Sequence, residues 1–123
     1  VWSYDPIAES WTQHANMPAR RGLAAVHALG DQIFVVGGWD KTDLSADEDQ
    51  PEAGAMLAYT PATDTWSQMP QMPHARLLYG SDVVNGEIVV FFGVTDGPLV
   101  EIFNPETQTW RAGTDPEVPL DAG

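Results

Sequence analysis

An aromatic residue, a proline two positions later and a tryptophan seven positions later recur three times in this chain of 123 residues. The copies are Tyr4-Pro6-Trp11, Tyr59-Pro61-Trp66 and Phe103-Pro105-Trp110. Self-similarity at a fixed spacing is typical of repeat architectures, in which each repeat forms one supersecondary unit. This spacing therefore constrains the fold more than any other feature of the sequence.

A second set of matches lies 55 positions apart, without a gap. Asn85-Gly86 stands between two apolar runs, which is a strong signal for a β-hairpin. The apolar runs at residues 33–36 and 88–91 favour strands that are buried on both faces. The matched positions are Met17 and Met72, Arg21 and Arg76, Gly30 and Asn85, Gly38 and Gly93.

The composition favours many short strands and tight turns, because the chain has 10 Pro, 11 Gly and 5 Trp and no sustained helical period. A formal net charge of −13 with only 5 Lys and Arg argues against nucleic-acid binding. The absence of Cys excludes disulfides, thiolate nucleophiles and Cys-ligated metals.

No apolar run is long enough to span a bilayer, and no signal peptide is visible. We therefore predict a soluble chain without membrane insertion, and the sequence leaves its compartment undetermined. Val1 lies within a strand-like pattern, so we expect the chain to belong to a longer protein.

Taken together, these motifs resemble the kelch repeat, which has an Arg-led inner strand, an apolar strand ending in Gly-Gly, a variable loop, and then Tyr and Trp. The first full copy is Arg21, Gly37-Gly38, Tyr59 and Trp66. The second copy is Arg76, Phe92-Gly93, Phe103 and Trp110, in which Phe92 replaces a Gly and Phe103 replaces the Tyr. The resemblance implies an all-β fold, a kelch-type β-propeller fragment with four-stranded antiparallel blades.

On this interpretation the chain divides into four segments. Residues 1–18 form the outer strand pair of a preceding blade, residues 19–70 a complete kelch blade with a long acidic loop at 39–54, residues 71–112 a second complete blade, and residues 113–123 an acidic tail or linker. A closed ring needs about four to eight blades. The remaining blades would come from a longer chain or from self-association.

In a propeller, the loop between the second and third strands and the loop between blades open on the same face. The resemblance therefore predicts a binding rim there, where an Arg beside an aromatic side chain suits a peptide carboxylate or a sugar. For the two repeat-conforming arginines, a role in blade structure is the alternative. The predicted binding residues are Arg20, Arg21, Trp39, Asp40, Arg76, Thr95 and Asp96; the predicted structural residues are Tyr4, Trp11, Gly37, Gly38, Tyr59, Trp66, Gly93, Phe103 and Trp110.

The sequence has no Gly-x-Ser-x-Gly motif, no phosphate loop ending in Gly-Lys and no His pair at metal-binding spacing, and His14, His27 and His74 are isolated. We therefore predict no catalytic residue, no cofactor and no metal ligand. The acidic loop carries Asp and Glu side chains that suit Ca²⁺, but it lacks the ordered spacing of a calcium loop. A solvated loop and partner recognition are the alternatives for this segment.

The functional prediction is a non-catalytic kelch-propeller scaffold that binds a protein or glycan partner. The alternative is part of a kelch-type enzyme, a sugar epimerase or an oxidase, whose catalytic residues lie in blades outside this sequence. The copper-radical oxidases of the family need a Cys-modified Tyr, and this chain has no Cys.

Overall fold

The computed structural model describes residues 1–19, 21–22, 24–38, 54–76 and 79–114. The regular structure of these residues consists of β-strands, and they include no helix that could cross a membrane. The strands are β1 (Trp2–Asp5), β2 (Ser10–Gln13), β3 (Ala25–Leu29), β4 (Gln32–Val36), β5 (Met56–Thr60), β6 (Thr65–Met69), β7 (Gly80–Val84), β8 (Glu87–Phe91), β9 (Val100–Asn104) and β10 (Thr109–Ala112).

The strands form one two-stranded and two four-stranded sheets. In the first four-stranded sheet the order is β3-β4-β5-β6, and in the second it is β7-β8-β9-β10. Every neighbouring pair is antiparallel. The predicted all-β fold with four-stranded antiparallel blades is confirmed, and we call these sheets blade A (β3–β6) and blade B (β7–β10).

The repeated aromatic motif is a β-hairpin whose Trp faces the first aromatic residue across the strands. Such cross-strand aromatic pairs stabilise antiparallel sheets. The ring centroids lie 4.9, 5.1 and 5.2 Å apart in the three copies. The paired residues are Tyr4 and Trp11, Tyr59 and Trp66, Phe103 and Trp110.

The hairpin turns follow from local side-chain chemistry. Asp5 Oδ1 accepts hydrogen bonds from the amides two and three positions ahead, and Asn104 Oδ1 does the same. The proline after each of these residues fixes φ for the turn. The fourth turn residue has a positive φ in every copy, 52° at Glu9, 52° at Asp64 and 55° at Gln108.

The core lies between blades A and B. Alternate residues of β4 and β5 in blade A face alternate residues of β8 and β9 in blade B, as the period of two in a strand requires. The Phe34 and Phe103 rings are 6.1 Å apart at its centre. The buried residues of this cluster are Phe34, Val36, Met56, Ala58, Met72, Ile88, Val90 and Phe103.

Two hydrogen bonds tie the inner strands of the blades together. The Tyr79 hydroxyl donates to the Val36 carbonyl at 2.7 Å, and His27 Nε2 lies 2.7 Å from Ser81 Oγ. Burial raises the pKa of Tyr79 to about 12. The blades therefore pack face to face through an apolar core with specific polar contacts at its inner edge.

The outer hairpins connect successive repeats in the same way. Trp66 Nε1 donates to the Ala15 carbonyl at 3.1 Å, and Trp110 Nε1 donates to the Pro70 carbonyl at 2.9 Å. Each Trp therefore fixes the segment that leaves the preceding hairpin. These bonds explain why a Trp, rather than another large apolar residue, recurs at this position.

Candidate binding rim

The connection between β8 and β9 lies at the edge of the blades where the predicted binding rim was placed. We call residues 92–99 the rim loop. The β7–β8 turn at Asn85-Gly86 lies at the opposite end of the same strands. A substitution in the rim loop can therefore be compared with one at that opposite end.

Arg76 holds both ends of the rim loop from inside the fold. Its side chain is fully buried. Nη1 donates to the Phe92 carbonyl at 2.8 Å and to the Leu99 carbonyl at 3.3 Å, and Nη2 donates to the Pro98 carbonyl at 2.7 Å. Such charge-assisted bonds are stronger than neutral ones.

Glu101 neutralises this arginine. Its carboxylate is buried on β9, and Oε1 accepts a hydrogen bond from Arg76 Nη2 at 2.8 Å. His74 Nδ1 lies 3.3 Å from the same oxygen. A buried carboxylate needs such partners, because leaving a charge unpaired in the interior is strongly destabilising.

The rim loop also has internal contacts that shape it. The Phe92 amide donates to the Leu99 carbonyl at 2.7 Å and closes the loop at its base. The Gly97 amide donates to Thr95 Oγ1 at 3.2 Å. A Cβ at Gly97 would overlap the His74 ring, so only glycine fits this packing.

The loop fixed in this way exposes apolar side chains. Val94 is 67% exposed and Phe92 is 39% exposed, and Asp96 is exposed beside them. Phe92 has φ 61°, and its ring meets Phe91 edge to face at 5.9 Å. A left-handed φ costs a non-glycine residue about 1–2 kcal/mol, and strained backbone of this kind clusters at functional sites.

The structure brings together three of the predicted binding residues, Arg76, Thr95 and Asp96. Thr95 and Asp96 lie in the rim loop, and Arg76 supports it from below. The buried Arg76 guanidinium is not accessible to a ligand in this geometry, so its position matches the structural alternative. Arg21 is half-buried and lines a separate cavity with Ala24 and Val35.

The other predicted binding residues lie outside the described part of the chain. These residues are Arg20, Trp39 and Asp40. The acidic loop, which was considered for Ca²⁺ or partner recognition, also lies outside it, apart from Gly54. Among the residues that the structure does describe, no three His, Asp or Glu side chains come together as a metal site.

The predicted structural residues differ in how deeply the structure buries them. Tyr59 is 3% exposed and Phe103 is fully buried, whereas Tyr4 and Trp11 are exposed. Trp66 and Trp110 are half-buried. The repeat glycines have φ 65° at Gly37, 93° at Gly38 and 83° at Gly93, which explains their residue type.

Sequence reasoning missed Asp64, which joins the first hairpin to blade A. Asp64 Oδ1 accepts hydrogen bonds from the Ala15 amide at 2.8 Å and from the Tyr59 hydroxyl at 2.6 Å. These two bonds hold the pKa of Asp64 below its ordinary value. The bond to Asp64 in turn raises the pKa of Tyr59 to about 12.

Glu101, His74 and Val94 were missed as well. Glu101 carried a usable signal, since a carboxylate on a buried face of a strand needs a cationic partner, and Arg76 was already singled out. Val94 carried none, because its exposure depends on the path of the loop.

Comparisons with known proteins agree with this geometry. The Kelch motif profile matches residues 20–50. The human kelch repeat and BTB domain-containing protein 12 is 29% identical over 132 residues, covering 98% of this chain and 21% of the relative. Kelch-like protein terF of Aspergillus terreus is 27% identical over 133 residues, covering 98% and 28%.

A plant protein shows the same similarity. The F-box/kelch-repeat protein SKIP11 of Arabidopsis thaliana is 29% identical over 117 residues, covering 88% of this chain and 23% of the relative. The chain thus spans between 21% and 28% of the length of these three relatives.

The fold is that of a repeat protein built from four-stranded antiparallel blades. Its outer hairpins repeat the same spacing of aromatic residues along the chain. The matching motif and the relatives support a kelch-repeat family for this chain.

Proposed function

We propose that these blades act as a scaffold that binds a partner protein through the rim loop. The observation that carries the proposal is the exposure of Val94, 67%, on a loop whose ends are fixed by buried Arg76. A rigid loop loses little conformational entropy on binding, so its apolar contact area contributes more fully to affinity. Function in repeat scaffolds is concentrated on such loops.

The chemistry of the rim loop suits a protein surface. Val94 and Phe92 offer an apolar centre, and Asp96 offers a charged edge. This combination of apolar centre and polar rim is typical of protein interfaces. The net charge of −13 favours a partner whose own rim is basic, since complementary charge speeds association and excludes acidic competitors.

The names of the relatives support the same proposal. Two of the three names pair kelch repeats with a BTB or an F-box domain. A kelch part in such proteins is combined with a second module, as expected of a recognition scaffold. No comparison supports the carbohydrate ligand or the kelch-type enzyme that the sequence left open, and we do not propose either.

The test uses a pair of aspartate substitutions at opposite ends of the same blade. Val94→Asp places a charge in the rim loop, and Val84→Asp places one on β7 at the other end, where Val84 is 48% exposed. The unchanged chain and both variants serve as baits, and the retained proteins are quantified by mass spectrometry. Each candidate is then purified and its Kd measured against all three chains.

We expect to find a partner that binds the chain directly and whose affinity falls by about tenfold or more with Val94→Asp. Substitution of a central apolar residue of an interface can cost more than about 1.4 kcal/mol of binding free energy, which corresponds to that factor. The Val84→Asp variant should bind as the unchanged chain does. A partner that loses affinity only with Val84→Asp, or equally with both variants, would contradict a site on the rim loop.

A further inference from the structure

Two turns among the described residues place a glycine directly after a side chain that ends in a carbonyl group. They are Asn85-Gly86, which joins β7 to β8, and Asp96-Gly97 in the rim loop. In this order the backbone nitrogen of the glycine can reach the preceding side-chain carbon, and no Cβ beside it hinders the attack. The same reactive order of residues therefore occurs in two structural settings.

The Asn85-Gly86 turn is open to solvent. Both residues are exposed and have a positive φ, 52° at Asn85 and 75° at Gly86, as a type I′ turn of a two-residue hairpin requires. Val84 pairs with Glu87 across the turn, so the ladder hydrogen bonds join these flanking residues and leave the Gly86 nitrogen outside the ladder. Apart from the chain neighbours of Gly86, no described residue lies within 4 Å of the position that a Cβ there would take.

This turn can open without disturbing the core. Val84, at the end of β7, is 48% exposed, and the first fully buried residue on the β8 side is Ile88. Fraying of such an exposed hairpin end needs far less free energy than global unfolding. The reaction depends on this opening, because the closed turn holds Asn85 in a left-handed conformation and the Gly86 nitrogen reaches Cγ only after that backbone rotates.

The Asp96-Gly97 pair is held by its surroundings. The Gly97 amide donates to Thr95 Oγ1 at 3.2 Å, and the Gly97 backbone packs so closely on the His74 ring that a Cβ would overlap it. The buried arginine beneath the loop fixes the next residue through the Pro98 carbonyl, at 2.7 Å. The nitrogen needed for attack is therefore hydrogen-bonded, and the backbone around it is fixed on both sides.

We propose that Asn85 is a site of spontaneous deamidation, which converts this turn to isoaspartate, and that the contacts of the rim loop protect Asp96-Gly97 from the same ring closure. The Gly86 nitrogen forms a bond to Asn85 Cγ, the bond from Cγ to Nδ2 breaks, and the Gly86 amide proton leaves with Nδ2 as ammonia. Water then opens the resulting succinimide ring at either of its carbonyls. One opening gives aspartate and the other gives isoaspartate.

Isoaspartate at this position alters the hairpin, because its main chain runs through the side-chain carbon and adds a methylene group to a two-residue turn. Turn geometry and loop length fix the register of a hairpin. The affected strand β7 also meets blade A, since Ser81 Oγ lies 2.7 Å from His27 Nε2. Deamidation therefore places a slow chemical change at the end of a strand that joins the two blades.

The experiment compares the two turns with the same chemistry in both. Asp96→Asn gives the rim loop the same carboxamide before the same glycine, so that the structural setting is what distinguishes the sites. The variant is incubated in mildly alkaline buffer, folded or in urea, and deamidation at each asparagine is followed by peptide mass spectrometry. Chromatography separates the isoaspartate peptide from the aspartate peptide. Asn104 is the internal control, because the following Pro105 has no N–H to lose.

We expect deamidation at Asn85 in the folded chain to be roughly tenfold faster or more than at the asparagine introduced at position 96, since local opening is rarer in the rim loop. In urea the two rates should lie much closer together, and isoaspartate should accumulate at position 85 in the unchanged chain. Equal rates in the folded chain, a faster reaction at position 96, or no deamidation at Asn85 would overturn the proposal. The same ratio of rates in urea would also overturn it, because the neighbouring sequence and not the fold would then set the difference.

Discussion

Blades A and B share their strand order, turns and apolar core, yet the polar anchors found among the described residues lie at opposite ends. Blade A is anchored at its outer hairpin, where Asp64 binds Ala15 and Tyr59. Blade B is anchored at its rim, where Glu101 binds Arg76. The matching positions carry other residue types, since Leu57 stands at the position of Glu101 and Gln108 at that of Asp64.

The change at the outer hairpin involves several positions together. Phe103 has no hydroxyl where Tyr59 has one, and Pro70 has no N–H where Ala15 has one, so a carboxylate at position 108 would have neither donor. Pro70 still has its carbonyl, and the Trp110 bond to it is kept. Both blades therefore keep the hydrogen bond from the Trp indole to a backbone carbonyl, whereas Tyr59 and Asp64 of blade A are replaced by Phe103 and Gln108 in blade B.

The rim connections of the two blades share one backbone hydrogen bond. The same backbone bond closes both, from the Gly37 amide to the Ala55 carbonyl in blade A and from the Phe92 amide to the Leu99 carbonyl in blade B, each at 2.7 Å. In blade B the buried Arg76 guanidinium also donates hydrogen bonds to three carbonyls of the rim loop. Apolar residues and tryptophans thus recur at matching positions of both blades, whereas the charged residues that bind a loop or hairpin change from one blade to the other.

The largest effect is expected at the buried ion pair. Arg76→Leu leaves Glu101 buried without its cation and should lower the free energy of unfolding by about 3–5 kcal/mol. Urea unfolding followed by Trp fluorescence measures it. Arg111→Leu is the matched control, because Arg111 forms a surface pair with Glu87 at 2.9 Å, a type worth about 0–1 kcal/mol.

The double variant Arg76→Leu with Glu101→Leu sharpens this prediction. It removes both charges, so it should be more stable than Arg76→Leu alone, but the three carbonyls of the rim loop still lose their donor. Equal losses in Arg76→Leu and Arg111→Leu would show that the buried pair is not an anchor.

A smaller effect is expected where the blades differ in backbone strain. Gly37 and Phe92 occupy matching positions and have φ 65° and 61°. Gly37→Ala should lower the free energy of unfolding by about 1–2 kcal/mol, because a Cβ disfavours this conformation. Phe92→Gly relieves the same strain but adds chain entropy, so its change should stay below about 1 kcal/mol. A larger loss with Phe92→Gly would mean that its ring contributes substantially to the fold.

The smallest effect is expected at exposed Asp64. Its pKa is lowered in the folded chain, so its contribution to stability is present above the ordinary value of 3.8 and is lost as the pH falls through the lower, folded value. The difference in urea unfolding between the unchanged chain and Asp64→Asn should therefore be positive near neutral pH and shrink in acid. Gln108→Asp should create no such dependence, because its donors are absent.

Much of the fold could be predicted from sequence because it depends on spacing. The aromatic, proline and tryptophan positions and the offset of 55 identified the hairpins and both blades. Strand ends shifted only slightly: the apolar runs at residues 33–36 and 88–91 lie in β4, Gln32–Val36, and β8, Glu87–Phe91. Local periodicity determines these features, and tertiary packing does not override it here.

The site was less predictable because it depends on distances through space. Arg76 was recognised, but spacing alone does not show whether a guanidinium points to solvent or into the fold. Its burial follows from three carbonyls of the rim loop and from Glu101, and these converge only after β9 pairs with β8. Asp64 was hidden for the same reason, since its partner Ala15 belongs to another hairpin.

The most direct test of the anchor account is the hydrogen-exchange rate of the Phe92 amide in Glu101→Leu, with the Gly37 amide as the internal reference. Both amides close equivalent connections, and only the first lies in the loop that Arg76 holds. We predict that exchange at Phe92 becomes roughly tenfold faster while the Gly37 amide is unchanged. Equal acceleration at both amides, or no change at Phe92, would contradict the claim that the buried ion pair holds the rim loop.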